Sequence, residues 1–168
     1  MRKLEIEPIR YNKSLREILF EDFKSIGKEL PIKGGWGYSK EDAIVIDKND
    51  PAAVQWQPFN GVALEYFIAE KRIFEEIIIF RSKGDQFRNV KITLNKQSFI
   101  ACNDGKSYDY LIFDVTAFHD KDWESIDREI QEKINTCGFD FVKFIESKND
   151  LRYHYTPEFW FEISSFSR

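Results

Sequence analysis

The sequence predicts an α+β fold: a curved, mostly antiparallel sheet with two or three helices packed on one face, in a single globular domain over residues 1–168. Three observations predict it. Apolar residues recur at helical spacing around 15–26 and 123–134, and short β-branched or alternating runs follow one another between 90 and 115. The dipeptide Asp104-Gly105 joins two of those runs as a hairpin turn does. At 168 residues, with 42% hydrophobic and 16% aromatic content, the chain can bury one sizeable core. Its 16 Phe residues predict a core filled by flat rings.

Leu4, Ile6 and Ile9 suit a short first strand. Ser14-Leu15-Arg16-Glu17 is a capping box, and Leu15, Ile18, Leu19, Phe23 and Ile26 continue it as one apolar stripe that stops at Gly27 and Pro31. Ser39 and Asp42 can cap a single turn before Ala43 to Asp47, a short β-branched strand ended by Asn49-Asp50-Pro51. From Pro51 to Gly61 the residues resist regular structure and predict a long connection. Residues 62–76 predict a helix and Ile77 to Phe80 a strand.

Three strands, 90–94, 98–102 and 108–115, predict an antiparallel meander. A helix follows from Trp123 to Ile134, opened by Asp120 or Asp122 and closed at Gly138. Phe139 to Ile145 and Glu158 to Phe166 predict two late strands.

The net charge is −4, and no run of Lys or Arg is long enough to follow a phosphate backbone, so no direct nucleic-acid partner is expected. Residues 40–80 carry 4 basic and 8 acidic side chains, which concentrates the acidity in one segment. Cys102 and Cys137 form no metal or redox motif. With no apolar leader and no stretch of about 20 apolar residues, a cytoplasmic protein without membrane contact is expected.

The loop Gly34-Gly35-Trp36-Gly37-Tyr38-Ser39-Lys40-Glu41-Asp42-Ala43 places three glycines around two large aromatics. It calls for positive φ or for close approach of the backbone to another group. It fits neither phosphate-binding spacing: Tyr38 and Ser39 precede the lysine, and no GxGxxG is present. Two readings stay open, a tight turn with Trp36 and Tyr38 tucked into a sheet edge, or a partner-binding loop with those rings as anchors. His119-Asp120-Lys121-Asp122 has the composition of a metal-ligand cluster, yet two Asp at a helix start are explained by capping. Neither a metal nor a cofactor is expected. Helical spacing sets Glu65 and Glu76 on one solvated face with Arg72, which argues for surface ion pairing over acid–base chemistry at Glu65, Glu70, Glu75 and Glu76.

The run Gly34 to Tyr38 with Glu41-Asp42-Ala43, then Ile46-Asp47-Lys48-Asn49-Asp50-Pro51, resembles small bacterial proteins of the immunity type found in contact-dependent and polymorphic toxin systems. The resemblance implies a non-catalytic module that binds and neutralises a basic protein toxin. The acidic, aromatic surface expected to carry the contact comprises Trp36, Tyr38, Glu41, Asp42, Asp47, Asp50 and Trp56. The alternative is a small-ligand-binding protein or enzyme whose pocket is covered by the 34–61 segment, with Trp36 and Trp56 as walls. A monomer and a strand-edge homodimer are both compatible with the sequence.

Overall fold

The computed structural model describes residues 1–167. In chain order the elements are β1 (Arg2–Lys3), α1 (Leu15–Asp22), β2 (Ile32–Gly34), β3 (Ile44–Ile46), α2 (Gly61–Phe74), β4 (Phe87–Ala101), β5 (Ser107–His119), α3 (Asp120–Lys133), α4 (Phe141–Glu146), β6 (Tyr153–Tyr155) and β7 (Glu158–Glu162). Short 3₁₀ turns occupy Lys24–Ile26, Pro51–Trp56 and Asn149–Leu151, and a π-helical turn, Glu75–Ile79, prolongs α2.

The fold is α+β, but its seven-stranded sheet is mixed. The order is β1-β6-β5-β7-β3-β2, with β4 on β5 off this path. Two of the pairings, β1 with β6 and β3 with β7, are parallel. The expected antiparallel character holds for β2–β3, β5–β6 and β5–β7. A tight turn joins β4 to β5, with the Cys102 amide donating to the Lys106 carbonyl at 2.8 Å, and so short a connection forces antiparallel pairing. Among the described residues no helix is long and apolar enough to cross a membrane.

The chain divides into two compact units, each assembled from three separated segments. One comprises Met1–Glu7, Phe74–Thr93 and Asp114–Thr156; the other comprises Pro8–Ile73, Leu94–Phe113 and Pro157 onward. In the first, Phe118, Ile126, Ile130 and Ile145 form a buried cluster against which Trp123, Phe144 and Leu151 pack. This is the apolar stripe of α3 meeting β5 and α4. In the second, Leu15 and Leu19 of α1, Ile44 and Ile46 of β3, Ile68 of α2, Leu111 of β5 and Phe159 and Phe161 of β7 are all buried. Phe113 meets Phe159 edge-on, with ring centroids 5.6 Å apart.

Helix α1 starts where its capping box places it: the Glu17 amide donates to Ser14 Oγ (3.2 Å), and the Ser14 amide donates to Glu17 Oε2 (2.8 Å). Four expectations are corrected. Ile77 to Phe80 is not a strand. The helix runs on as a π turn in which the Phe80 amide reaches back to the Glu75 carbonyl (3.0 Å), and this buries Ile77 completely. Residues 90–94 and 98–102 are not two strands but one, because Asn95-Lys96-Gln97 is an exposed polar stretch of strand with no Gly or Pro to turn it. Residues 139–145 are largely helical, since Asp140 caps α4 by accepting from the Lys143 amide (3.1 Å). The cap of α3 is His119, whose Nδ1 accepts from the Lys121 amide (3.3 Å); Asp120 and Asp122 lie within the first turn.

Phe118 is fully buried, its ring 5.6 Å from that of Trp123. Phe118→Ala is expected to cost about 3–5 kcal/mol of stability, read as a lower urea midpoint with loss of α3 helicity. A cost below about 1 kcal/mol would show that this cluster does not hold α3 in place.

Candidate functional site

The glycine loop is built around two groups, Asp42 and Arg72. Its backbone closes on itself: the Gly35 amide donates to the Ala43 carbonyl (3.0 Å) and the Gly37 amide to the Asp42 carbonyl (2.6 Å). The Asp42 carboxylate accepts from the Trp36 amide (3.1 Å) and the Tyr38 amide (3.3 Å), and a Cβ at Gly35 would collide with it. Gly37 has φ +81° and offers its carbonyl to the Trp160 amide (3.0 Å), so a side chain there would be both strained and pressed against Ile44. Arg72 of α2 then fixes the loop, donating to the Trp36 carbonyl (2.8 Å) and to the Glu158 carbonyl of β7 (2.7 Å). Its guanidinium lies 3.6 Å from the Phe159 ring centroid and 4.3 Å from that of Tyr38.

The residues expected to form one contact surface are therefore differently employed. Trp36 is buried, and Tyr38 is half-buried with its hydroxyl accepting from the Ile9 amide (3.0 Å). Asp50 pairs with Arg16 (2.8 Å) and caps the following turn through the Ala52 amide (2.8 Å). Asp47 pairs with Lys33 (2.9 Å), which lowers its pKa below the ordinary carboxylate range. Asp42 serves the loop, and Glu41 alone of the four acids stands fully in solvent. Trp56 is half-buried.

The expected solvated face of Glu65, Glu76 and Arg72 is corrected outright. Glu65 is 0% exposed, Arg72 1% and Glu76 5%. Helical spacing set these side chains on one stripe, but that stripe faces inward. Glu76 accepts from the Tyr155 hydroxyl (3.2 Å), and Glu70 pairs with its neighbour Lys71 (2.7 Å). Burial, and after it the nearby Asp109 charge, pushes the Glu65 pKa up from an ordinary 4.5 to about 9, and neither carboxyl oxygen has a hydrogen-bond partner among the described residues. The Glu65 carboxyl is thus held in its neutral form beside Asp109. Asp109 also accepts from Gln97 Nε2 (3.0 Å), and Gln97 Oε1 accepts from the Tyr66 hydroxyl (3.0 Å). Burial and the two neighbouring carboxyls raise the Tyr66 pKa as well.

His119 is engaged with Asp85 (2.9 Å), and Asp120 with Arg88 (2.8 Å) and the Gln86 amide (3.2 Å). Among the described residues no group of three or more His, Cys, Asp or Glu is placed to hold a metal ion.

The cleft formed by the 51–61 connection is a groove of about 330 Å³ against α2. Ala63, Leu64 and Phe67 form its helical wall and Trp56 with Pro58 the opposite one. The Trp56 and Phe67 rings are 5.6 Å apart at 58°, and Trp56 Nε1 is fixed by donation to the Glu29 carbonyl (2.6 Å). Lys28 stands at the edge with its ammonium 5.4 Å from the Trp56 ring. Asn60 starts α2 by accepting from the Ala63 amide (3.0 Å), which sets the angle between the two walls. Lys28 and Phe67 were not apparent as site residues. The one local signal is the four-residue spacing of Ala63 and Phe67, which places both on one helical face.

Comparison with known proteins finds no matching family model, no matching characterised protein and no matching solved structure.

The buried, protonated Glu65 gives stability a defined pH dependence. Between pH 4.5, where Glu65 titrates in the unfolded chain, and about 9, where it titrates in the fold, the native state holds one more proton. Its contribution is present in full below the lower value and is lost as pH rises towards the upper one. Glu65→Gln removes the titration, so its melting temperature should fall less than that of the wild type between about pH 6 and 9. Parallel melting curves for the two proteins would contradict a Glu65 that stays protonated in the fold.

Proposed function

We propose that this chain is a non-catalytic protein-binding module of the toxin-immunity kind that residues 34–51 resemble, and that it seizes its partner by admitting an apolar side chain between Trp56 and Phe67. The observation that supports this best is the groove itself: aromatic and aliphatic walls, with Lys28 as the one titratable side chain among its lining residues. Such a site offers desolvation and shape, which suits an anchor residue of a partner better than proton transfer. Val54 and Val62, 74% and 47% exposed, extend the apolar surface along the same segment and the start of α2.

The proposed partner is a basic protein toxin. Glu29, adjacent in sequence to Lys28, and Glu41 are exposed acids that favour it. Most of the acidic side chains of residues 40–80 are engaged inside the fold, so the groove supplies the affinity and exposed charge is an accessory. A small-ligand function is a second reading, favoured by the groove volume of about 330 Å³, which lies at the lower end of the range for small-molecule sites.

Affinity capture from the native host should be run with the wild type, Trp56→Ala and Glu41→Lys. One protein retained by the wild type should be lost with Trp56→Ala, and purified partner should then bind Trp56→Ala at least about tenfold more weakly. Glu41→Lys should slow association mainly at low salt. If no retained protein depends on Trp56, and an aromatic fragment saturates the groove instead, the ligand reading replaces the partner reading.

A further inference from the structure

The unit formed by Met1–Glu7, Phe74–Thr93 and Asp114–Thr156 carries a separate cavity of about 390 Å³. Lys91 and Thr93, two residues apart on β4, and Asp114 and Thr116, two apart on β5, each project from one side of their strand into it. Glu146 at the end of α4 and Arg152 just before β6 complete the lining. Thr116 is paired in register with His154, and His154 Nε2 lies 3.0 Å from Asp114 Oδ1, so the Asp114 carboxylate is held in place at the cavity wall.

Arg152 is the unusual member. It is 8% exposed, with its guanidinium 4.2 Å from the Phe118 ring centroid. Its donors reach the Asn89 carbonyl (3.3 Å) and Asn89 Oδ1 (2.8 Å), both neutral acceptors, and no carboxylate among the described residues pairs with it. A buried cation with only neutral acceptors keeps most of its desolvation cost, which an arriving anion would offset. The lowered pKa of Arg152, caused by burial, agrees with this. Lys91 and Glu146, both solvent-exposed, line the same cavity and have no ion-pair partner among the described residues.

Two cations, two carboxylates and two hydroxyls therefore line one cavity, with Asp114 engaged by His154 and Arg152 by Asn89. A lone anion such as inorganic phosphate would gain from Arg152 and Lys91 but be opposed by Asp114 and Glu146; a simple amine would meet the reverse. A molecule carrying both charges satisfies both sets. We propose that this cavity binds a small zwitterion of the α-amino-acid class, its carboxylate held by Arg152 and Lys91 and its ammonium by Asp114 and Glu146. Thr93 and Thr116 supply neutral hydrogen-bonding partners between the charged groups.

The test is thermal shift followed by titration calorimetry on the full chain, using the twenty common L-amino acids one at a time, with acetate, methylammonium and inorganic phosphate as single-charge probes. At least one amino acid should raise the melting temperature and saturate, with each single-charge probe at least about tenfold weaker. Lys91→Gln and Glu146→Gln should each weaken that binding about tenfold or more with unchanged far-ultraviolet circular dichroism, while Trp56→Ala leaves it unaltered. Phosphate binding as tightly as any amino acid would overturn the proposal in favour of a plain anion site. No amino-acid binding, or binding insensitive to both variants, would overturn it as well.

Discussion

Arg72 holds together three parts of its unit that are far apart in sequence. From the last turn of α2 its guanidinium donates to the carbonyl of Trp36 in the glycine loop and to the carbonyl of Glu158 at the start of β7, and it lies against the rings of Tyr38 and Phe159. The Trp36 carbonyl would otherwise be a buried acceptor without that donor, at a cost of roughly 1–3 kcal/mol. The planar fork suits the task because it can bond in its plane and pack apolar rings above and below it. Fixing α2 against the loop and β7 also fixes the helical wall of the Trp56 groove. The glycines follow from the same constraint, since the loop must fold back on Asp42 tightly enough to present the Trp36 carbonyl to the guanidinium.

The acidity of residues 40–80, conspicuous as a count, is mostly internal chemistry. Glu65, Glu75 and Glu76 are buried, Asp42 organises a loop, and Asp47 and Asp50 are tied to Lys33 and Arg16. Little of it is left as an unpaired field to draw in a basic partner from a distance. The proposed recognition at the groove would consequently rest on shape and apolar contact, with exposed Glu41 as an accessory. The Glu65–Asp109 pair adds a different constraint. Two carboxyls in one dry site are tolerable only when one is neutral, so this part of α2 is tied to β5 most firmly when that proton is retained.

Local signals were legible where the interaction that fixes an element is itself local. The capping box at Ser14 to Glu17 and the turn at Asp104-Gly105 satisfy backbone groups within a few residues, and both stand where the sequence puts them. The helical spacing of α2 was legible too, but not which side of the helix meets solvent: a stripe containing Glu65, Arg72 and Glu76 reads as polar, and only the carbonyls of Trp36 and Glu158, the Tyr155 hydroxyl and Asp109 make it an interior one. The run Ile77 to Phe80 misleads for a related reason. Its β-branched residues favour a strand locally, whereas continuing the helix buries Ile77. At the groove, Trp56 was legible as an unusual ring in an irregular connection, while Lys28 and Phe67 join it only through tertiary placement. The pairing of β1 with β6 and of β3 with β7 left no local mark at all.

The interleaving of the two units carries a consequence for how such a chain can change over time. Each unit is stitched from three stretches of sequence, and the polypeptide passes repeatedly from one to the other. No single crossover between related genes could exchange one unit and keep the other, and no terminal truncation could release either intact. Exchanging one unit alone would therefore take a breakpoint at every passage of the chain between the two.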